Sequence, residues 1–333
     1  MTTTTLPEQD FAALLACWVC GSEALSRIHR SRFDLSSFAV HDPELHGYTG
    51  KRFWLNQCGD CGFMQPEALP TLSYFFDRLY TDYRAMQLRA DSAPDTNAQI
   101  AMERDFAEGS KDFIFHQILK ALERRVPQSR RTLLDMGAHV GRFLHLAQQR
   151  GWTVEGAEPN PVTSRFAAGI TNAPIHQVGA RDLALQGARF GAVTLTDVLE
   201  HIPDPSATLK DIHRLLQPGG CVSIKVPCGT GQLIKERLRS TLRRNYEFTI
   251  ARNMCHVNHF GAKSLALALE KAGFVNVTVG PGAPELFPAK SLGQRLRGMP
   301  SNLVRLGAYY ASRALPPNAL AASMHLLALG SKR

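Results

Sequence analysis

A chain of 333 residues with 44% hydrophobic and 20% charged residues has the composition of a globular protein, which excludes a disordered chain; its length predicts one large domain and a smaller module. No apolar run approaches the about 18 residues of a membrane-spanning helix, and the N-terminus lacks the basic and then apolar layout of a signal peptide, so we expect a cytoplasmic protein. The formal net charge of +9 predicts an anionic partner, such as a nucleotide-linked substrate, an RNA or a membrane surface, with a solvated basic face as the alternative.

Two cysteine pairs near the N-terminus, Cys17-x-x-Cys20 and Cys58-x-x-Cys61, predict a structural zinc site with four thiolate ligands. The glycine that follows each pair permits the left-handed turn that directs backbone amides at the sulfurs. A redox role or unpaired thiols are the alternatives. The odd total of seven cysteines argues against a secreted disulfide framework.

Residues 1–90 are therefore interpreted as a zinc-binding module with an aromatic connector. Between the cysteine pairs we expect a hairpin around residues 46–55. The tyrosine-rich stretch 66–84 is expected to pack against a neighbouring domain, with Tyr83 as a candidate for a place over an active-site mouth. A linker at 91–130 is predicted to contain a loop over 91–98 and a helical connector from about Gln99 to Arg125.

A short apolar strand after Arg131 ends in a loop with the pattern D-x-G-x-H-x-G and opens a helix. Loops at the carboxyl ends of parallel strands bind ligands in open α/β sheets. Gly137 and Gly141 are therefore expected where the backbone comes close to a ligand, beside Asp135 at the strand tip. His139 stands where a third glycine is common, and a plain tight turn is the alternative interpretation.

A second strand after Trp152 ends at Glu158. A carboxylate at the second strand tip is the usual acceptor for the ribose hydroxyls of an adenosine ligand. In the next segment, Asp182 is a candidate acceptor for the adenine amino group and Leu183 a candidate packing partner for the ring. A fourth strand, a helix over about 205–216 and a fifth strand follow, which is the alternation typical of a doubly wound α/β sheet.

Five segments, in this order, resemble the class I methyltransferases that depend on S-adenosylmethionine (SAM) over about residues 130–280: Leu134-Asp-Met-Gly-Ala-His-Val-Gly, Gly156-Ala-Glu-Pro, Asp197-Val-Leu-Glu-His-Ile-Pro-Asp-Pro, Leu216-Gln-Pro-Gly-Gly, and His256-Val-Asn-His-Phe with Lys271-Ala-Gly-Phe. The resemblance implies a doubly wound α/β fold with a seven-stranded sheet, and SAM as the cofactor. It implies further that Asp135 lies near the ammonium group of SAM and that residues 197–200 line the floor beside its methyl group. The predicted cofactor-binding residues are Asp135, Gly137, His139, Gly141, Glu158, Pro159, Asp182, Leu183, Asp197, Val198 and Glu200.

The cysteine pairs, the ending Cys58-Gly-Asp-Cys-Gly-Phe-Met-Gln-Pro and the tyrosine-rich stretch resemble the zinc-binding N-terminal region of the sugar C-methyltransferases, over about residues 17–83. Those enzymes act on nucleotide-linked keto-deoxysugars. The chain departs from them because it lacks room for their long C-terminal domain and has Cys255-His256 where they carry a Glu-His pair. Without that glutamate the proton abstraction needed for attack by carbon is weakened, so O-methylation stays open.

Three histidines are the candidates for assisting the acceptor, because a histidine titrates in the working pH range and can take a proton from an attacking hydroxyl. A capping or core role is the alternative for each of them. Tyr83 joins them as a candidate from the N-terminal module. The predicted catalytic residues are His201, His256, His259 and Tyr83.

Phe274-Val-Asn-Val-Thr-Val and Met324-His-Leu-Leu-Ala-Leu-Gly predict the sixth and seventh strands of a methyltransferase domain over 131–333. Insertions at about 229–254 and 283–320 are expected to cover the acceptor site. The first contains cations suited to a diphosphate, namely Arg237, Arg243 and Arg244. For the second, an amphipathic helix resting on a membrane surface is the alternative to a lid.

The sequence therefore predicts a methyltransferase that acts on a small polar acceptor, a nucleotide-linked or glycan sugar, by C- or O-methylation. An RNA methyltransferase that holds a phosphate backbone on its basic face is the second hypothesis. A non-catalytic SAM-binding protein is the third, and His139 in the glycine loop is the feature that favours it.

Overall fold

The computed structural model describes residues 10–35, 42–79, 94–244, 246–287, 292–314 and 324–333. Nine α-helices of six or more residues lie in these ranges. In chain order they are Pro94–Glu108, Asp112–Glu123, Arg142–Gln148, Pro161–Thr171, Ala180–Leu185, Pro205–Leu215, Gly229–Leu242, Ala262–Lys271 and Leu292–Ala314.

The N-terminal module contains five short strands: β1 (Phe11–Ala13), β2 (Leu25–Arg32), β3 (Arg52–Cys58), β4 (Met64–Pro66) and β5 (Ala68–Pro70). Strands β2, β3 and β4 form an antiparallel sheet, and β1 pairs with β5. The hairpin expected around residues 46–55 is wrong. Residues Pro43–His46 form a helical turn, because the Asp42 side chain accepts the N–H groups of Glu44 and Leu45, and β3 pairs with β2 instead.

The main sheet has seven strands: β6 (Thr132–Met136), β7 (Thr153–Ala157), β8 (Ile175–His176), β9 (Phe190–Thr196), β10 (Leu216–Pro227), β11 (Val275–Pro281) and β12 (His325–Ser331). Their order is β11-β12-β10-β9-β6-β7-β8, and β12 runs antiparallel to both of its neighbours. This arrangement confirms the doubly wound sheet and its sixth and seventh strands. The chain winds away from β6 in both directions, so the carboxyl ends of β6 and β9 flank the crevice where such sheets bind ligands.

The connector between module and sheet differs from the expectation. The structure has two helices, Pro94–Glu108 and Asp112–Glu123, rather than one. Gly109 separates them with a φ of +63°, a conformation that few residues other than glycine adopt. The loop expected over 91–98 is wrong from Pro94 onward, where the first of these helices begins.

Two buried clusters join the N-terminal module to the rest of the chain. The cysteine pairs share one apolar core with the central strands and with the helix Ala262–Lys271. Phe33 and Leu55 of the module share another with Leu233 and Met254, which lie in the segment 229–257. Burial of this shared apolar surface holds the module and the sheet together.

Candidate active site

The loop after β6 closes tightly around a ligand-sized space. Gly137 has a φ of +75°, and a Cβ atom there would lie only 2.6 Å from Cγ2 of Val198. Only glycine satisfies both conditions. The N–H groups of Gly137 and Ala138 donate to the carbonyl of Ala157 at 2.7 and 3.1 Å, which ties the loop to the end of β7.

Glu158 lies at the end of β7, as the sequence predicts, and is only 3% exposed. Its Oε2 accepts the N–H of His139 at 2.9 Å, and its Oε1 accepts the N–H of Asn160 at 3.0 Å. With Gly137, Pro159 and Gly179 it lines a cavity of about 430 Å³, here called the Glu158 cavity. The carboxylate is thus fixed by two backbone donors and faces a space that can hold a nucleoside.

A second cavity of about 440 Å³ adjoins the first at Gly137 and Val198 and is here called the Asp135 cavity. It is lined by Asp135, His139 and Asp197 among others. The hydroxyl of Thr194 donates to Asp135 Oδ1 at 2.6 Å. Burial raises the pKa of Asp135 to about 7, so this carboxyl is poised to ionise when a cation arrives.

Asp197 follows β9 with a φ of +56°, an uncommon conformation for a residue with a side chain. Its carboxylate receives two ammonium groups, Lys225 at 2.5 Å and Lys111 at 3.0 Å. Burial alone opposes ionisation, but these positive charges outweigh it and hold the pKa of Asp197 below its usual range. Asp197 is therefore an anion in a fixed network at the floor of the Asp135 cavity.

The histidines His201 and His256 meet where the two cavities adjoin, and both line each of them. Their ring centroids lie 4.7 Å apart in an edge-to-face arrangement. Nδ1 of His201 donates to the carbonyl of Cys255 at 2.5 Å, which fixes the ring orientation. Burial lowers the pKa of His256 to about 4, so its imidazole is neutral at physiological pH.

Beside them lies a third cavity of about 400 Å³, lined by His256, His259, Lys235 and Arg252 among others and called here the Lys235 cavity. His259 is 2% exposed, and burial lowers its pKa to about 3. The arginines expected to hold a diphosphate, Arg237, Arg243 and Arg244, are exposed and do not line this cavity. Its cations are Lys235 and Arg252.

Three predicted cofactor residues lie away from these cavities. Gly141 has a φ of +76°, and a Cβ atom there would lie 3.1 Å from the side chains of Ala167 and Thr171. It therefore permits close helix packing rather than close approach of a ligand. In the helix Ala180–Leu185, Asp182 is exposed and Leu183 is buried in the core. The backbone around Gly179, just before this helix, faces the Glu158 cavity in their place.

The four cysteines of the two pairs form one cluster. Sγ of Cys17 lies 3.6 Å from Sγ of Cys61, and Sγ of Cys20 lies 3.4 Å from Sγ of Cys58. Both separations are far longer than an S–S bond of about 2 Å, and all four cysteines are free. All four sulfurs lie within 4.8 Å of one another. A zinc ion with bonds of about 2.3 Å needs tetrahedral edges of about 3.8 Å, so the cluster fits zinc. The glycines after both pairs have left-handed φ values of +81° and +74°, as predicted.

The N-terminal module is in direct contact with the segment 256–260, which contains His256 and His259. Met64 and His259 exchange two backbone hydrogen bonds, at 3.2 and 3.0 Å, and the rings of Phe63 and Phe260 lie 4.9 Å apart. Residues 76, 77 and 79 of the module line the Glu158 cavity. Tyr83, the predicted catalytic residue of this region, lies outside the described residues.

The structure also brings in residues that sequence reasoning missed. Lys111 and Lys225 hold Asp197 from positions 86 and 28 residues away in the chain. Glu200, which was predicted from the sequence as a cofactor-binding residue, is fully buried beside His201 and His256. The partners of Lys111 and Lys225 depend on tertiary packing, so the sequence alone does not identify them. The place of Lys111 just before a helix facing the sheet was the one available signal.

The second insertion contains the long helix Leu292–Ala314, with Leu303, Val304 and Tyr310 exposed. Tyr309 packs against Phe113 at a centroid distance of 5.8 Å, which anchors this helix on the connector. Among the described residues, no helix is long and apolar enough to cross a bilayer.

The state of Asp135 gives a first testable prediction. Because its pKa is raised in the folded protein, its neutral form stabilises the fold at low pH, and that contribution is lost as pH rises through about 7. In Asp135→Asn, which keeps an oxygen to accept from Thr194, we expect the melting temperature to fall less between pH 6 and 8. Calorimetric melting of both proteins across this range is the measurement. If the melting temperatures of the two proteins changed equally with pH, the raised pKa assigned to Asp135 would be contradicted.

Comparison with known proteins places this site in a family. A family model described as a methyltransferase domain matches residues 106–279, just over half of the 333 residues. A ubiquinone biosynthesis O-methyltransferase of Pseudomonas paraeruginosa (strain DSM 24068 / PA7) is 30% identical over 108 residues, which are 30% of this chain and 46% of that relative. The chain thus spans about half the length of the curated relatives it matches.

The solved structures similar to the chain include two methyltransferases. A SAM-dependent methyltransferase from Archaeoglobus fulgidus is 16% identical with a TM-score of 0.45, and the alignment covers 70% of this chain and 99% of that one. The sugar N-methyltransferase KedS8 from Streptoalloteichus sp ATCC 53650 is 22% identical with a TM-score of 0.33, and the alignment covers 40% of this chain and 55% of that one.

Proposed function

The chain belongs to the family of methyltransferase domains, and from this premise we propose that it transfers the methyl group of SAM to a hydroxyl group of a small, anionic, sugar-like acceptor. The observation that carries the proposal is the meeting of His201 and His256 where the Glu158 and Asp135 cavities adjoin. A ligand that fills both cavities must present its middle to these histidines.

The Glu158 cavity and the Asp135 cavity, here together called the donor cavities, suit the two ends of SAM. Glu158, fixed by two backbone donors, is placed to accept the ribose hydroxyls, and the backbone near Gly179 borders the space left for the base. Asp135 offers a carboxylate to an ammonium group at the other end. SAM supplies a methyl group activated by a sulfonium. The chain holds the methyl carbon and the acceptor in line, and positioning of this kind supplies much of the rate.

The acceptor hydroxyl must lose its proton as its oxygen attacks, and we infer that the neutral imidazole of His256, with the ring of His201 beside it, assists this step. O-methylation is favoured over C-methylation because Cys255, not a glutamate, precedes His256. The partial similarity to relatives named as O-methyltransferases supports the same choice. The adjoining Lys235 cavity contains Lys235 and Arg252 together with the carboxyl groups of Asp34 and Glu236, and Arg252 pairs with Asp34 at 3.0 Å. The preference for an acceptor with negative charge therefore rests on the net charge of +9 of the whole chain.

Zinc at the cysteine cluster has a structural part in this proposal. Four thiolates leave no open coordination position for a substrate. The cluster lies in the apolar core, and Lys271 donates to the carbonyl of Cys20 at 2.8 Å from the helix Ala262–Lys271. Zinc would thereby fix the module that borders the Glu158 cavity.

Glu158→Gln tests donor binding. The variant keeps the size of the side chain but loses the charge, and a hydrogen bond to a charged group contributes about 1.5–3 kcal/mol. We expect affinity for SAM and for its demethylated product to fall by about 10- to 100-fold in isothermal titration calorimetry. Glu155→Gln, on the same strand β7, is the matched control and should bind SAM like the unaltered protein. Equal affinity in Glu158→Gln would refute the assigned ribose contact.

The acceptor is identified with isotope-labelled SAM and a panel of nucleotide sugars, lipid-linked sugars and tRNA, followed by mass spectrometry. We expect label on a hydroxyl of a sugar-like product. Label on tRNA would instead make the chain an RNA methyltransferase, and binding of SAM without any transfer would support a non-catalytic role.

A further inference from the structure

Three side chains able to bind a metal come together beside the donor cavities. One candidate ligand atom each from Glu200, His201 and His256 lies within 4.8 Å of the others. Glu200 is 1% exposed, and neither of its carboxylate oxygens has a hydrogen-bond partner in the part of the chain that the structure describes. A carboxylate buried in this way is strongly disfavoured without a compensating charge or donor.

Lys111 and Lys225 act on Glu200 only from a distance: their positive charges favour its ionisation, but neither lysine donates a hydrogen bond to it. The ammonium groups of Lys111 and Lys225 are hydrogen-bonded to Asp197 and not to Glu200. Each of the two histidines presents a ring nitrogen within 4.8 Å of a carboxylate oxygen of Glu200. Nδ1 of His201 donates to the Cys255 carbonyl, which fixes the tautomer with Nε2 as the nitrogen able to bind a cation. Metal-ligating histidines are usually held by such a hydrogen bond.

We propose that Glu200, His201 and His256 bind a divalent cation, and that the acceptor binds through an oxygen on that cation. Two imidazole nitrogens and one carboxylate oxygen suit zinc, manganese, iron(II) or cobalt(II), and leave positions open for a substrate. This site is separate from the cysteine cluster, whose four thiolates favour zinc. Each of the two sites therefore has its own metal preference.

The proposal rests on the proposed function and narrows its acceptor. A cation lowers the pKa of a hydroxyl bound to it, so its proton would be released to solvent water in the open cavity. The bond between the oxygen and the methyl carbon would then form as the carbon–sulfur bond of SAM breaks, with its electron pair kept by sulfur. The histidines then assist by holding the cation. Since more than one coordination position is open, the cation favours an acceptor with two adjacent oxygens, such as a vicinal diol of a sugar or of an aromatic ring.

Cobalt(II) titration of the full chain, with its cysteines already loaded with one equivalent of zinc, tests the site. Cobalt bound by nitrogen and oxygen absorbs in the visible region without the sulfur-to-cobalt charge-transfer band of a thiolate site, so the spectrum identifies the ligands. We expect one further equivalent to bind with a nitrogen and oxygen spectrum. In Glu200→Gln and in His256→Asn the affinity should fall by at least about tenfold.

The control is His213→Asn, a partly buried histidine on the helix Pro205–Leu215, which should bind cobalt like the unaltered protein. Circular dichroism and SAM affinity report folding, and His256→Asn decides the test if Glu200→Gln misfolds. The proposal is overturned if only a thiolate spectrum develops, or if the folded variants bind cobalt as tightly as the unaltered protein. SAM binding and methyl transfer are measured separately. If both are absent while cobalt binds as expected, the proposed function is rejected and the metal site is retained.

Discussion

Methyl transfer is expected to fall by two to four orders of magnitude in His256→Asn, while affinity for SAM stays within about twofold. His256 lines the Glu158, Asp135 and Lys235 cavities, so it is the side chain through which donor and acceptor spaces communicate. Asparagine retains polarity but can neither take up a proton as imidazole does nor bind a cation comparably. Single-turnover transfer from labelled SAM, alongside calorimetric SAM binding, measures the two quantities.

His213→Asn serves again as the control for the transfer experiment, because its ring packs edge-on against Phe274 at 5.1 Å, away from the cavities. It should lower neither transfer nor SAM affinity. A His256→Asn protein that transfers methyl groups at the normal rate would remove the histidine pair from the acceptor site. A parallel loss of SAM affinity would assign His256 to the donor instead.

The variant Cys61→Ser is expected to lose its bound zinc and the folded structure of the N-terminal module. A hydroxyl is a poor substitute for a soft thiolate, and the apparent free energy of zinc binding to structural sites in small peptides is about 10–16 kcal/mol. Cys61 is 3% exposed inside the core that the module shares with the sheet. We therefore expect zinc content to fall below one per chain, the melting temperature to fall by more than about 10 °C, and residues 10–79 to become sensitive to proteases.

Cys228→Ser is the matched control for that experiment. Cys228 is equally buried, but its sulfur accepts the N–H of Gly231 at the start of a helix, where serine is a favoured residue. Zinc content and melting should change little in this variant. If Cys61→Ser kept a full equivalent of zinc and its melting temperature, the cysteine cluster would not be a structural metal site.

The sequence was sufficient for the sheet and for the glycine loop, since both depend on local patterns in a fixed order. Glu158 could be found because the tip of the second strand has a defined place relative to β6. Asp182, the predicted adenine contact, is exposed and does not line the Glu158 cavity, because one residue of helical rotation decides whether a side chain faces a cavity or solvent. The pairing of Lys111 with Asp197 arises only when a connector helix packs over the sheet, and no spacing in the sequence encodes it.

The N-terminal module was predicted from its cysteines, but the pairing of its strands was not. The expected hairpin failed because Asp42 caps a helical turn where strand residues were expected. Glu200 was assigned to the cofactor floor by resemblance, and its burial beside two histidines became visible only in three dimensions. The order of motifs in the sequence therefore predicts where a residue lies in the fold, but not which side chains surround it.

The two backbone hydrogen bonds between Met64 and His259 join the N-terminal module to the segment that carries the histidines proposed to face the acceptor. A metal ion some distance from the chemistry thus gains influence over it, because whatever orders one end of this connection also orders the other. Thermodynamic reciprocity then requires that an acceptor bound beside His256 raise the affinity of the cysteines for zinc. Loss of zinc would therefore be expected to weaken the proposed acceptor site and the Glu158 cavity together, because residues 76, 77 and 79 of the same module line that cavity.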